Sequence, residues 1–321
     1  MIRLAAALTL CITASSAAQN YPYPYPSARP IRMMVPAAAG GVTDIAARVL
    51  TPRLSEALGQ PVVVDNRAGA GGIIGTDIVA KAAPDGHTLI TAFDSFVSNP
   101  FVFRKMPYDT LNDFAPISLL IRGPQIFVAT PKLGVKTFNE FIALAKAKSR
   151  SMRYATAGPA TSSRLSVELF KAVSNLQGDS IFFKGGGPAL NDLLGGHVDV
   201  MIASAGLVLS HAKNGRLHAL AVTSRARTAL APGVPSISEF YPQFEAQSWV
   251  GMLAPAATPR TIIQRLNIEV SNTLADPAIK ERFNMLGYEI AGGTSEQFGE
   301  WLHAETKKWS KVIRDNNITA E

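Results

Sequence analysis

Cysteine is almost missing from this chain: its 321 residues hold one, Cys11. Disulfide scaffolds and thiol catalysis beyond that point are therefore excluded. Metal-site spacing is missing too, since His87, His197, His211, His218 and His303 form no i,i+4 pair and have no cysteine partners. No G-x-S-x-G elbow and no P-loop lysine motif occur. The glycines at 69, 71, 72 and 75 miss the dinucleotide fingerprint, because its last position, counted from Gly69, falls on Ile74. No apolar run reaches the ~20 residues that span a bilayer. Charge is sparse at 17%, below the ~25% usual in soluble domains, and 47% of the residues are apolar, which excludes a disordered chain.

What charge there is leans positive, with 31 Lys and Arg against 24 Asp and Glu, a formal +7. Lys307, Lys308, Lys311 and Arg314 form a basic run near the end, which reads as one solvated helix face rather than a nucleic-acid platform.

The N-terminus has the order of an export signal. Arg3 supplies positive charge, residues 4–12 are apolar, and small residues follow to Ala18. Cleavage after Ala18 removes Cys11, which lacks the small preceding residue that lipidation needs, Leu10 standing there instead. It also removes Arg3 and leaves +6. Residues 1–18 are thus expected to be a signal peptide. Residues 19–30, with Tyr-Pro repeated three times from Tyr21 to Pro26, read as a polyproline-like tether.

Beyond it, strand and helix patterns alternate. Residues 31–35 are a short apolar strand. Ile45, Val49, Leu50, Leu54 and Leu58 repeat at helical spacing, and Val62, Val63 and Val64 open a second strand. Further strands are expected at 89–93, 153–155, 181–183, 198–202 and 217–222. Helices are expected at 138–148, 162–173, 188–194, 259–274, 278–286 and 297–316. This is an α/β pattern.

Two strand-to-helix junctions are short of bulk. One runs Pro36-Ala37-Ala38-Ala39-Gly40-Gly41 into Thr43-Asp44; the other runs Thr156-Ala157-Gly158-Pro159-Ala160-Thr161-Ser162-Ser163. A helix start carries unpaired N–H groups and about half a positive charge. Small residues before it let a carboxylate or phosphate approach. Thr43, Asp44, Thr161 and Ser162 are equally suited to plain capping.

Several motifs in order resemble the Bug (TctC-type) family, the periplasmic solute receptors of tripartite tricarboxylate transporters. They are Val35-Pro36 through Gly40-Gly41 to Asp44; Val63-Val64-Asp65-Asn66-Arg67 through Gly69-Ala70-Gly71-Gly72 to Gly75; and Pro84-Asp85-Gly86-His87-Thr88-Leu89. Met106-Pro107-Tyr108-Asp109, Lys184-Gly185-Gly186-Gly187-Pro188-Ala189-Leu190, Asp192-Leu193-Leu194-Gly195-Gly196, Leu220-Ala221-Val222-Thr223-Ser224, Val234-Pro235, and Trp249 before Ala254-Pro255 continue the likeness.

The resemblance implies a two-domain, Venus-flytrap binding protein with a mixed, mainly parallel sheet in each lobe and two crossing segments. Lobe 1 is expected at 31–124 plus 248–321 and lobe 2 at 125–247. It also implies a non-catalytic, monomeric periplasmic receptor. Such a receptor needs no cofactor or metal and binds no nucleic acid. It hands a small organic carboxylate to the large and small membrane subunits of a permease. The ligand would lie between Ala37, Ala38, Gly40, Gly41 and Asp44 on one side and Thr156, Ala157, Gly158, Thr161 and Ser162 on the other, with Ala203 and Ser204 beside them. Arg164 stands where many members carry histidine. Ala203 replaces an aspartate that can face a ligand amine, which points to di- or tricarboxylates or aromatic acids rather than amino acids. Two other readings stay open on the residues: a sensor feeding a two-component system without transport, and an exported hydrolase using Ser162 or Ser163.

Overall fold

The computed structural model describes residues 25–26, 29–147, 152–183 and 185–319. The expected signal peptide lies outside them, as do Lys184 and most of the tether. At the tether's end Tyr25 is seated rather than free. Its hydroxyl donates to the Gly86 carbonyl at 3.0 Å, and its ring meets His87 edge-on.

The chain opens with β1 (Ile31–Val35), α1 (Val42–Leu58), β2 (Val62–Asn66), α2 (Ile73–Ala80), β3 (Thr88–Phe93) and α3 (Ser95–Val102). The sixteen-residue β4 (Phe114–Ala129) leads to α4 (Phe138–Ala147), β5 (Arg153–Thr156), α5 (Ser162–Ser174), β6 (Asp179–Phe182) and α6 (Gly186–Gly195). Next come β7 (Val200–Ser204), α7 (Ala205–Lys213), β8 (His218–Val222) and β9 (Gln247–Pro255). The chain finishes with α8 (Arg260–Ala275), α9 (Pro277–Met285), β10 (Glu289–Gly292) and α10 (Ser295–Asp315).

The sheet order is β2-β1-β3-β9-β4-β7-β5-β6, with β10 and β8 also paired to β4. β4 changes partners along its length. Through Pro124 it pairs with β9 and β10, and from Gln125 it pairs with β7 and β8. The outer pairs β1–β2, β1–β3, β5–β6 and β5–β7 are parallel, as strand-helix-strand units require. All pairs built on β4 or β9 are antiparallel. The antiparallel share exceeds the sequence expectation because the chain leaves the first sheet region on β4 and returns on β9, running in opposite directions.

Each sheet region is covered on both faces. Ile31, Met33, Leu50, Leu54 and Leu266 pack one face of the first region under α1 and α8. On its other face, under α10, Trp249 meets Phe298 and Trp301. In the second region Phe127 contacts Phe138, Phe141 and Phe170 at centroid distances of 4.9–6.0 Å, largely edge-on. Such aromatic pairs contribute about 0.5–1.5 kcal/mol beyond their buried area. The chain's end is tied to α5 as well, where the Arg164 guanidinium donates to the Thr319 carbonyl at 2.6 Å.

Candidate functional site

Between the two sheet regions lies a cavity of about 480 Å³. Its wall includes the start of α1 (Gly41, Val42), of α5 (Thr161, Ser162), of α6 (Gly186, Gly187) and of α7 (Ser204, Gly206). Four helix N-termini, each with unpaired N–H groups and partial positive charge, thus open on one space. Among the described lining residues there is no Lys, Arg or His. Val42, Ile45, Phe93, Met201, Leu207 and Leu286 give the space apolar sides. A second hollow of equal volume lies between α8 and α10, where the starts of those two helices carry Arg260 and Glu296 and, with Glu300, already bring charge of both signs.

The α1 junction is built by Asp44. Gly41 precedes the helix in extended conformation, without a side-chain cap. Asp44 reaches back instead, accepting the Gly40 N–H at 2.9 Å, the Asn66 amide at 3.0 Å and Arg48 Nε at 3.0 Å. Burial alone would raise its pKa, but Arg48, Gly40 and Asn66 together hold the carboxyl below its ordinary value. At the α5 junction Thr161 is the cap, its hydroxyl accepting the Arg164 N–H and donating to the Gly158 carbonyl at 2.9 Å.

Of the twelve residues expected at the site, Gly40, Gly41, Ala157, Thr161, Ser162, Ala203 and Ser204 line this cavity. The other five stand outside its lining. Ala37 and Ala38 belong to the loop that Asp44 braces, and the Ala37 carbonyl accepts from Asn66. Asp44 is buried behind the loop, Thr156 donates to the Ile181 carbonyl at 3.3 Å, and Gly158 serves the turn at φ 140°. Arg164 does not line the cavity either; it donates to the Pro159 and Thr319 carbonyls and lies 4.6 Å over the Phe182 ring.

The sequence reading passed over a polar wall opposite the small-residue loops. Asp94 follows β3, where its carboxylate accepts the Trp249 N–H at 2.9 Å and the Ser248 hydroxyl at 3.2 Å. Burial pushes it up to about 6, against the pull of the Ser162, Trp249 and Ser248 bonds. Gln125 donates to Ser162 at 3.2 Å and accepts from Ser166 at 2.5 Å. Tyr288, pushed up to about 12 by burial, also faces the cavity. Asp94 could have been found from its place at the C-terminal end of a strand, where open α/β sheets bind ligands. Gly186 and Gly187, of the motif at residues 184–190, line the cavity as well.

This arrangement can hold and orient a ligand. Ser163 donates to the Ile202 carbonyl at 2.7 Å, and Ser162 accepts from Gln125 and lies beside the Asp94 carboxylate, with no imidazole among the described lining residues.

Residues 46–318 match the family model described as the tripartite tricarboxylate transporter family receptor, TctC. The protein BugT of Bordetella pertussis is 39% identical over 319 residues, covering 98% of each chain. Among solved structures, Rpa4515 of R. palustris with adipate superposes with a TM-score of 0.85 at 32% identity, covering 92% of this chain and 99% of that one. MatC of Rhodopseudomonas palustris, with bound malate, gives 0.81 at 30% identity, covering 89% and 99%. The matched family is one of receptors, and the periplasmic binding protein BugD superposes with a TM-score of 0.82 at 32% identity, covering 92% of this chain and 99% of that one, which removes the hydrolase reading. By sequence, fold and cavity, the chain belongs to the tripartite tricarboxylate transporter receptor (TctC, Bug) family.

Proposed function

We propose that this protein is an exported receptor that closes on a small organic carboxylate and delivers it to the large and small subunits of a tripartite tricarboxylate-type permease. The carrying observation is the convergence of four helix starts on a cavity without a lining cation among the described residues. Backbone N–H groups there offer a carboxylate several donors at once. In this reading residues 1–18 direct export and are removed, and the mature receptor is a periplasmic monomer. Residues 31–124 and 248–321 form one lobe and residues 125–247 the other; the change of β4 partners at Pro124 and Gln125 supports that division. Gly40, Gly41, Thr161, Ser162 and Ser204 would face the ligand, with Ala37, Ala38 and Asp44 shaping the first loop and Thr156, Ala157, Gly158 and Ala203 the second wall. Adipate and malate in related receptors support a plain acid as the ligand class.

A thermal-shift screen of di- and tricarboxylates, aromatic acids, amino acids and neutral sugars tests this. At 100-fold excess over Kd a ligand stabilises by about 2.7 kcal/mol, several degrees in Tm for lobes of this size. A Tm raised by a sugar and unmoved by every acid would overturn the reading.

A further inference from the structure

Four helix starts favour an anion, yet the same cavity carries an acid. Asp94 lines it, nine-tenths buried, with two protein donors on its carboxylate, the Trp249 N–H at 2.9 Å and the Ser248 hydroxyl at 3.2 Å, and the Ser162 hydroxyl beside it. Among the described residues, the groups that face it from neighbouring elements bring no positive charge. Glu305 of α10 adds like charge, and the Tyr288 phenol before β10 is neutral. β9 supplies Ser248 and Trp249, and β4 supplies Gln125, with Arg122 exposed on that strand. Arg164 of α5 is committed to the Pro159 and Thr319 carbonyls. An ionised Asp94 and a ligand carboxylate would therefore share one enclosed space, which favours protonating one of them.

We propose that the cleft takes its carboxylate together with one proton from solvent, which ends on an Asp94 oxygen, so that the neutral Asp94 carboxyl donates a hydrogen bond to the bound acid. This rests on the carboxylate reading above and narrows it to acids without an amine. A carboxylate has about four acceptor positions, and two on Asp94 are already used by the Trp249 N–H and the Ser248 hydroxyl, with the Ser162 hydroxyl beside them. An ammonium, with three N–H groups to satisfy, would have to share what is left. A neutral carboxyl needs only one oxygen of the ligand. The raised pKa of Asp94 in the ligand-free cleft has the direction this requires.

The test is calorimetry of the full mature chain with adipate, malate, glutarate and glutamate at pH 7 and 8, in two buffers of different ionisation enthalpy. The three plain acids are ionised in solution there, so a proton taken up on binding comes from solvent, and the Asp94 variant below reports whether Asp94 is the group that takes it. We expect close to one proton per bound acid and an affinity falling towards tenfold per pH unit. In Asp94→Asn the uptake should vanish, and affinity at pH 8 should equal or exceed that of the wild type. Binding without proton uptake, or a pH dependence that survives in Asp94→Asn, overturns the proposal and leaves the carboxylate reading standing. Glutamate binding more tightly than glutarate, and more so as pH rises, overturns it as well. If none of the plain acids binds at either pH, the carboxylate reading falls and the proposal with it. Should Asp94→Asn fail to fold, carbon NMR of the wild-type Asp94 carboxyl takes its place: the pKa must rise when the acid binds, and a pKa that stays put or falls overturns the proposal.

Discussion

Two buried aspartates, fifty residues apart, are driven in opposite directions. Asp44 is held low by Arg48, Gly40 and Asn66 despite its burial; its contribution to stability is present at neutral pH and lost as pH falls through its folded value. Asp94 is pushed up to about 6, from an unfolded value of ~3.9. Its contribution is full below the unfolded value and lost as pH rises through about 6. The ligand-free wild type should therefore lose up to about 3 kcal/mol relative to Asp94→Asn between pH 4 and pH 8, which urea titrations of both proteins at the two pH values measure. A gap that stays constant with pH would show that Asp94 does not titrate in this range. Glycine choice matters equally at this scale. Gly40 sits at φ 81°, so a side chain there strains the backbone and tests two things at once. Gly41 has ordinary extended geometry, and an added Cβ would meet only the Ala38 carbonyl at 3.4 Å. Gly41→Val should lower Tm by only a few degrees, because valine is a poorer N-cap than glycine by about 1 kcal/mol while the backbone there is unstrained. It should weaken acid binding at least tenfold, and unchanged affinity in a titration would mean that the ligand does not approach α1.

Elements with one dominant periodicity were legible in the sequence. The strand at 31–35 and the helices opening at 138 and 162 begin where the apolar pattern places them, because each buries one regular face. β4 was not legible. Pro116, Gly123 and Pro124 punctuate it, and by local rules such residues end strands. In the fold they coincide with special places. Pro116 borders a register shift against β9, where a missing N–H costs no ladder bond, and Pro124 is the last residue paired with β9 before β7 and β8 take over. Gly123 is required by contact: a Cβ would lie 2.7 Å from the Gly287 carbonyl. The same limit applied to the site. The bare loops before α1 and α5 announce themselves by composition, whereas Asp94, Ser248 and Tyr288 join them through the pairing of β3 with β9 and of β9 and β10 with β4. No local window holds that information.

Across the whole molecule, the cavity's back wall is a seam where side chains are absent because backbone needs the room. The start of α7 meets the turn after α9 so closely that a Cβ on Gly206 would lie 2.5 Å from the Leu286 carbonyl, and one on Gly287 would lie 2.7 Å from Ala205 Cβ. α7 belongs to the sheet region of β7 and β8, while the turn leads into β10 of the other region, so this seam sets how near the two can come. Interiors resist such intrusions by moving rather than compressing. In Gly206→Ala the helix start and the turn must separate, which carries Ser204 away from Tyr288 and Ser248 and opens the cavity that both walls share. Each region keeps its own core, so Tm should fall by only a few degrees. Acid affinity should drop at least tenfold, and small-angle scattering should show no further compaction when an acid that compacts the wild type is added at saturation. Equal compaction and equal affinity in the variant would mean that closure does not pass through this seam.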